Sequence, residues 1–198
     1  MPKTVVLATR NPDKAKELRD LLDGADIEIK DLSEFPDAPE VVEDADTLEG
    51  NALKKAKEIA AHTKLPAVAD DSGLEVYYLL GAPGVISARY AGEDVTYEDN
   101  NRKLLRELTQ VPARKRRARF RCVIAFVDGK TEKTFEGKVE GTILFTPRGD
   151  RGFGYDPLFQ PLGSTKTFAE MEPEAKNSIS HRGLALKEFA SHMKNGQA

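Results

Sequence analysis

Two adjacent acids, Asp70 and Asp71, follow the apolar residues 66–69 and precede Ser72 and Gly73. Carboxylates this close repel each other, and a divalent cation offsets that repulsion. Open α/β sheets bind ligands where their buried strands end. The pattern therefore predicts a metal site centred on Asp71, with Glu43 from an acidic stretch upstream completing a Mg²⁺ site. A plain structural turn is the alternative interpretation of Asp-Asp-Ser-Gly.

Residues 9–14, Thr-Arg-Asn-Pro-Asp-Lys, join the first apolar run to the first helical pattern. Backbone N–H groups at a helix N-terminus suit an anion, and Lys14 in the first turn lies within reach of it. The segment lacks the glycines of a Walker A loop. Ordinary helix capping, with Lys14 in solvent, is therefore the alternative.

Residues 152–156, Gly-Phe-Gly-Tyr-Asp, hold Phe153 between two glycines. An exposed aromatic side chain on such a loop is a stacking platform for a nucleobase, and Asp156 is placed to position a polar partner. The alternative is that Phe153 and Tyr155 anchor the loop in the core.

The segment Ser-His-Arg at residues 180–182 begins the last helical pattern. With Ser180 as N-cap, His181 and Arg182 fall in the first turn, where positive charge opposes the helix dipole. Such a local conflict is typical of functional positions. Both side chains can donate hydrogen bonds to base carbonyls or to phosphate.

A basic run covers residues 114–121. It suggests either nucleic-acid binding or a solvated linker that leads into a strand with its arginines facing outward. The net charge of −3 and the pI of about 5.7 favour the linker, and we expect no nucleic-acid partner. The run consists of Arg114, Lys115, Arg116, Arg117, Arg119 and Arg121.

Periodicity and capping residues indicate the elements that must position these side chains. Strands and helices alternate early, and a hairpin signal at Asp128-Gly129 follows, so we expect a mixed α/β domain over residues 1–198. The predicted strands are 4–8, 27–29, 66–70, 74–79, 120–127, 134–139 and 142–145. The predicted helices are 12–23, 48–62, 96–108 and 181–194, with a short one at 167–170.

Composition excludes several classes of protein. Hydrophobic residues make up 39%, enough for a sizeable core, and charged residues make up 32%, as in water-soluble domains. Neither a membrane span of about 20 apolar residues nor a signal peptide is recognisable. Cys122 is the single cysteine, so we expect a small buried hydrophobe and a cytoplasmic protein.

Six segments together, by their order and spacing, resemble the inosine/xanthosine triphosphate pyrophosphatase family, the non-canonical purine nucleoside triphosphate pyrophosphatases. The resemblance runs from Val5 to about Met193. It implies an α/β fold with an elongated mixed β-sheet flanked by helices, and two lobes around a central cleft. A homodimer and a Mg²⁺ cofactor are implied as well. The six segments are 7–14, 47–52, 69–74, 81–90, 152–157 and 180–183.

The resemblance also implies roles for individual residues. Asp71 matches the catalytic acid and metal ligand, Glu43 a second metal-linked carboxylate, and Ser72 a substrate contact. The triphosphate-binding turn corresponds to Thr9, Arg10, Asn11 and Lys14, where Arg10 replaces the family's small or polar residues. The base-recognition positions correspond to Phe153, Gly154, Tyr155, Asp156, Lys176, His181 and Arg182.

The implied reaction is hydrolysis of ITP, dITP, XTP or dXTP to the monophosphate and pyrophosphate. A water that Asp71 deprotonates or orders attacks the α-phosphorus, and Lys14 steadies the leaving pyrophosphate. Two alternatives remain open at this point. One is a pyrophosphatase for modified pyrimidine triphosphates, and the other is a nucleic-acid-binding protein that uses residues 114–121.

Overall fold

A computed structural model describes residues 3–24 and 27–195, which form a mixed six-stranded sheet flanked by helices. Within this part of the chain, no helix is long and apolar enough to cross a membrane. The strands are β1 (Lys3–Leu7), β2 (Ile27–Asp31), β3 (Ala67–Val76), β4 (Arg117–Asp128), β5 (Thr131–Ile143) and β6 (Phe159–Pro161). The helices are α1 (Pro12–Leu22), α2 (Leu48–Thr63), α3 (Tyr97–Glu107), α4 (Pro173–Ile179) and α5 (His181–Asn195).

The strand order is β2-β1-β3-β4-β5-β6. Strand β1 pairs in parallel with both β2 and β3, whereas β5 and β6 are antiparallel. Parallel neighbours need a crossover between them, and α1 and α2 supply the two crossovers. The predicted mixed α/β fold is therefore confirmed.

The chain divides into two compact units, and β3, β4 and β5 contribute residues to both. Unit 1 comprises Met1–Asp71, Cys122–Gly137 and Arg182–Ala198. Unit 2 comprises Ser72–Arg121 and Lys138–His181. The expectation of one domain over residues 1–198, with a cleft between lobes, stays a prediction.

The core of unit 1 combines β1 with one face each of α1 and α5. Leu18 of α1 and Phe189 of α5 are fully buried in it, and so is Cys122 of β4, as predicted. Helix α1 begins as the sequence indicates, because the Asn11 side chain accepts hydrogen bonds from the backbone N–H groups of Asp13 and Lys14. That cap fixes Lys14 in the first turn.

The core of unit 2 is built around aromatic rings. Phe120 lies 4.6 Å from Phe159 and 6.0 Å from Phe168, measured between ring centroids. Leu104 and Leu108 pack against this cluster and connect α3 to it. Helix α3 therefore has a fixed position in unit 2, which matters for the loop that carries Phe153.

Strand β3 differs from its prediction, because it runs without a break through Asp70, Asp71, Ser72 and Gly73. The four residue types are typical of turns, but residues on either side of them are buried, and extended backbone continues to Val76. A side chain at position 73 would meet the carbonyl oxygen of Gly84. Gly73 therefore allows a close approach of two backbone segments rather than a turn.

Three further elements were predicted wrongly or missed. Residues 142–145 do not form a separate strand, since β5 extends to Ile143. Strand β6 and helix α4 are each short and lie in segments with weak periodicity. The predicted short helix at 167–170 is present as the 3-10 turn Phe168–Glu170.

The basic run at residues 114–121 is predicted to be a solvated linker that leads into a strand with outward-facing arginines. The outward-facing arginines are confirmed, but the linker is not solvated throughout. Arg119 and Arg121 both pair with Glu75, at 2.6 and 3.0 Å, from the outward face of β4. Arg117 lies on the same face at 3.4 Å from Glu140. The solvated-linker interpretation is wrong for Arg116, which is only 1% exposed.

Arg116 is buried because it satisfies backbone acceptors. Its guanidinium donates to the carbonyl oxygens of Leu108, Ile143 and Leu144 at 2.7, 2.9 and 2.8 Å. Burial lowers the pKa of Arg116 from its ordinary value. Arginine suits this position because its planar fork of donors reaches several acceptors at once.

We predict that Arg116→Ser lowers the free energy of unfolding by about 2–4 kcal/mol, because three carbonyl groups lose their donor. Arg114→Ser, two residues away and exposed, should change it by less than about 0.5 kcal/mol. Urea unfolding of both variants measures the difference. Equal stability of the two variants would contradict the role assigned to Arg116.

Candidate active site

The two adjacent acids of β3 have separate cationic partners. Successive side chains on a strand point to opposite faces, so Asp70 and Asp71 reach different neighbours. Asp70 contacts Lys14 and Arg182, and Asp71 contacts Lys55. Their mutual repulsion is thus offset by protein cations on both sides, within unit 1.

Asp70 is a fully buried carboxylate between two cationic side chains. Its Oδ2 lies 3.2 Å from Lys14 Nζ and 3.1 Å from Arg182 Nη2. Burial opposes ionisation, but Lys14 and Arg182 outweigh it and hold the pKa of Asp70 well below its usual range. Burial likewise disfavours the charge of Arg182, yet Asp70 and Glu17 raise its pKa. Asp70 therefore positions cations and does not take up protons at neutral pH.

The pKa of Asp71 is shifted in the opposite direction to that of Asp70. The Asp71 Oδ1 lies 3.1 Å from Lys55 Nζ, and its Oδ2 accepts a hydrogen bond of 3.4 Å from Asn51 Nδ2. Burial raises the pKa of Asp71 above its ordinary value, and the nearby ammonium groups of Lys55 and Lys14 offset only part of that effect. A raised pKa makes a carboxylate a better general base at neutral pH.

Lys55 lies between Asp71 and Glu43. The Lys55 Nζ donates to the Glu43 Oε1 at 2.6 Å. Burial disfavours the charge of Lys55, but Asp71, Asp70 and Glu43 raise its pKa. Burial also opposes ionisation of Glu43, whereas Lys55 lowers the pKa of that carboxyl below its ordinary value. One ammonium group is therefore held between two ionisable carboxyls.

Sequence reasoning missed Lys55 and Asn51, although a signal for them exists. Both lie on the buried face of α2, among Ala52, Ala56 and Ile59. A lysine within an apolar stripe conflicts with the local pattern, and such conflicts mark functional positions. Asn51 also accepts a hydrogen bond from the Ala45 backbone N–H at 2.9 Å, which ties the acidic segment to α2.

The carboxyl groups of Glu43 and Asp71 fit a Mg²⁺ ion. They already converge on a cation, the Lys55 ammonium, and their donors are oxygens. In the described residues, 3–24 and 27–195, three or more His, Cys, Asp or Glu side chains do not group into a metal cage. Mg²⁺ ordinarily needs only one or two carboxylates, which act together with substrate phosphates and water.

The predicted triphosphate turn brings Lys14 to the acidic cluster, where its Nζ contacts Asp70. Thr9 Oγ1 accepts a hydrogen bond of 3.2 Å from the Asn11 N–H, within the turn itself. Arg10 donates to the carbonyl oxygen of Ala38 at 2.7 Å, so it ties the turn to the acidic segment that contains Glu43. Substrate contacts of Thr9, Arg10 and Asn11 stay predictions.

In unit 2, the Phe153 loop is held by an ion pair. Asp156 Oδ2 accepts from Lys176 Nζ at 2.6 Å and from the Phe153 backbone N–H at 3.0 Å. Lys176 Nζ also lies 5.2 Å from the centroid of the Phe153 ring. Lys176 and Asp156 are buried, and Phe153 is half-buried.

The two interpretations of this loop apply to different residues. Tyr155 is buried and donates its hydroxyl hydrogen to the Ser87 carbonyl oxygen at 2.8 Å, so it is the core anchor. Burial raises the pKa of that hydroxyl well above its ordinary value. Phe153 keeps part of its ring accessible. Its side chain therefore remains the candidate stacking surface, and a substrate contact of Tyr155 stays a prediction.

His181 and Arg182 lie in different surroundings although they are adjacent. His181 stacks on Phe120 with 4.6 Å between ring centroids and an interplanar angle of 8°, within unit 2. Arg182 binds Asp70 and Glu17 in unit 1. Ser72 lies half-buried in β3. The structure thus places His181 among aromatic rings and Arg182 among carboxylates.

Comparison with known proteins identifies similar chains. The model of the Ham1 family matches residues 5–192. The dITP/XTP pyrophosphatase of Geobacter sulfurreducens is 52% identical over 190 residues, 96% of either chain. That of Porphyromonas gingivalis is 51% identical and covers 93% of this chain and 94% of its own. A Ham1 protein from Coxiella burnetii has a TM-score of 0.89 at 39% identity, covering 98% of this chain and 99% of that one.

We predict opposite effects on stability when the two acids are replaced. Asp70→Asn should lower the free energy of unfolding by about 3–5 kcal/mol, because Lys14 and Arg182 lose the buried charge they share. Asp71→Asn should leave it nearly unchanged or raise it, because burial penalises the charged form of Asp71. Urea unfolding at pH 7 in metal-free buffer measures both changes.

The pH dependence gives a second test with a definite sign. The folded pKa of Asp70 is depressed, so its stabilisation is complete above the unfolded aspartate pKa of about 4 and is lost as pH falls further. The folded pKa of Asp71 is raised, so its favourable contribution is present below about pH 4 and is lost as pH rises. The difference in free energy of unfolding between the wild type and Asp70→Asn should be constant from about pH 8 to 5 and shrink below about pH 4. A gap that grows below pH 4 would be inconsistent with this assignment.

Proposed function

This chain belongs to the Ham1 family, and we propose that it hydrolyses non-canonical purine nucleoside triphosphates to the monophosphate and pyrophosphate. The substrates are ITP, dITP, XTP and dXTP. The observation that carries the proposal is the cluster around Asp71, where a buried acid with a raised pKa lies beside the buried cation Lys55. Relatives named dITP/XTP pyrophosphatase, about 50% identical over most of the chain, support the choice of substrate.

The residues of unit 1 are suited to attack on a phosphorus atom. Asp71 accepts a proton from a water whose oxygen forms a bond to the α-phosphorus, and the bond from that phosphorus to the bridging oxygen of the β-phosphate breaks. Lys14 and Lys55 supply fixed positive charge that stabilises the developing negative charge on the phosphates. Asp70 and Arg182 hold this arrangement in place, and a substrate contact of Arg182 stays a prediction.

We propose Mg²⁺ as the cofactor, with Glu43 and Asp71 as its protein ligands. When bound, the ion neutralises charge on the triphosphate oxygens. A bound ion would take over from Lys55 the compensation of those two carboxylates, and the Lys55 ammonium would then be a donor for a phosphate oxygen.

The residues of unit 2 are suited to a 6-oxo purine. Phe153 offers a partly exposed ring for stacking, and Lys176 beside it is a donor to a base carbonyl. His181 is a second candidate donor. Adenine carries an amine at C6, so a donor there would be left unpaired, which costs far more than the loss of a methyl contact. Modified pyrimidine triphosphates remain the alternative substrate class.

We also propose a homodimer in the cytoplasm. Four large hydrophobic side chains within ten residues of unit 2 are exposed, and Leu80 is 98% exposed. Exposed apolar residues in such density are typical of an association surface. The four are Tyr77, Tyr78, Leu80 and Ile86. Sedimentation velocity should give a dimer for the wild type and a monomer for Leu80→Asp; a monomeric wild type would refute the dimer.

A substrate panel tests the proposed activity. We expect kcat/KM for ITP, dITP and XTP to exceed that for ATP and GTP by roughly a hundredfold or more. Modified pyrimidine triphosphates such as dUTP belong in the same panel, and EDTA should abolish turnover until Mg²⁺ is restored. Phosphorus NMR should show monophosphate and pyrophosphate. If the products were orthophosphate and a nucleoside diphosphate, the attack would be at another phosphorus atom. Turnover of ATP as fast as that of ITP would refute the proposed specificity.

Steady-state kinetics of two variants tests the roles within unit 1. Asp71→Asn should lower kcat by about a hundredfold or more, because both the proton acceptor and a metal ligand are lost. Lys14→Ala should raise KM as well as lower kcat, because Lys14 binds phosphates in ground and transition states alike. Lys16→Ala, exposed on the same helix, is the matched control. Near-normal kcat for Asp71→Asn beside a folded, inactive Asp70→Asn would reverse the assignment.

A further inference from the structure

Helix α3 contacts the Phe153 loop through two side chains that no motif had singled out. Tyr97 and Asn101 are four residues apart on this helix, so they lie on one face of it. Tyr97 contacts the ring of Phe153, and Asn101 contacts the backbone of Gly154. Both contacts lie within unit 2, and Leu104 anchors the same helix in its core.

Asn101 fixes the loop backbone. Its Nδ2 donates to the Gly154 carbonyl oxygen at 2.9 Å. Its Oδ1 is buried and has no hydrogen-bond partner in the part of the chain that the structure describes. A buried acceptor without a donor is unfavourable, so the amide is not explained by stability alone. The hydrogen bond from the Asn101 amide to Gly154 stabilises the backbone of the Phe153 loop.

Tyr97 limits the position of the Phe153 ring. The two ring centroids are 5.8 Å apart and the planes are tilted by 38°. Tyr97 remains 40% exposed, so it borders the loop rather than the core. Together with Lys176 near the ring and Asp156 on the backbone N–H, it completes a frame around Phe153.

The loop needs such a frame because of its glycines. Gly152 and Gly154 have φ of 70° and 62°, a region that glycine enters freely and leaves as easily. Phe153 lies between these two flexible positions. Without external contacts, its ring would sample several orientations, and a base that stacks on it would bear the entropic cost of ordering the loop.

We propose that Tyr97 and Asn101 are positioning residues that preorganise Phe153 for stacking on the purine base. The inference rests on the proposed function and adds residues that determine how tightly the base is bound. Their contacts are to the loop that carries Phe153. Their loss should therefore weaken base binding and leave the chemical step almost unaffected.

The test uses the full chain with five substitutions, the fifth of which is Phe153→Ala. Asn101→Leu keeps the number and branching of the side-chain heavy atoms while removing the donor and the unsatisfied oxygen, so the melting temperature should not fall. Tyr97→Ala removes the ring, and Tyr97→Phe retains it. Arg106→Gln, exposed near the end of the same helix, is the matched control. Each protein is assayed for KM and kcat with dITP, and for binding of IMP and of pyrophosphate by calorimetry.

Asn101→Leu and Tyr97→Ala should raise KM for dITP and Kd for IMP by about 3- to 10-fold, with kcat within about twofold and pyrophosphate binding unchanged. Tyr97→Phe and Arg106→Gln should match the wild type. Combining Asn101→Leu with Phe153→Ala should add nothing to Phe153→Ala alone, because the position of an absent ring cannot matter. Unchanged KM and IMP binding, or fully additive effects in the double variant, would overturn the proposal.

Hydrogen exchange of residues 152–156 in the free protein separates this inference from the proposed function. Exchange should be faster in Asn101→Leu and Tyr97→Ala than in the wild type and Arg106→Gln. If the wild type does not hydrolyse any purine triphosphate, the proposed function fails. If exchange is the same in all proteins, the positioning role fails, whatever the substrate.

Discussion

The arrangement of unit 1 depends on one buried carboxylate, Asp70. It is fully buried in a central strand, and such a charge is tolerated only when cations pair with it. Lys14 from α1 and Arg182 from α5 meet it there, so the first helix, the third strand and the last helix share one ionic contact. Lys14 is thereby held in the interior face of its helix, and the neighbouring strand position is left to Asp71.

Two adjacent aspartates thus acquire different chemistry from their surroundings. Burial acts on both in the same direction, but the cations around Asp70 outweigh it and those around Asp71 do not. One acid is a fixed negative charge, and the other has a raised pKa that suits it to exchange a proton. The pleat of the strand is the physical cause, because it directs the two side chains to different neighbours.

In unit 2, neighbouring residues of the Phe153 loop also differ in their surroundings. Tyr155 is fixed by its hydroxyl hydrogen bond to Ser87, and Asp156 by its ion pair with Lys176. Phe153 alone in this loop keeps a partly accessible ring between two glycines. Contacts on both sides therefore hold the loop around this ring, and such preorganisation lowers the entropic cost of binding.

The sequence by itself determined the features that depend on local physics. The caps at Asn11, Thr47 and Thr96 and most of the strand patterns follow from residues within a few positions of one another. Only the tertiary structure decided which charges are buried and with whom. Arg182 reaches Asp70 across 112 residues of chain, and Lys55 lies on an apolar face because distant carboxylates neutralise it. Separation along the chain carries no information about such pairs, because the low-dielectric interior in which they form exists only after the chain has folded.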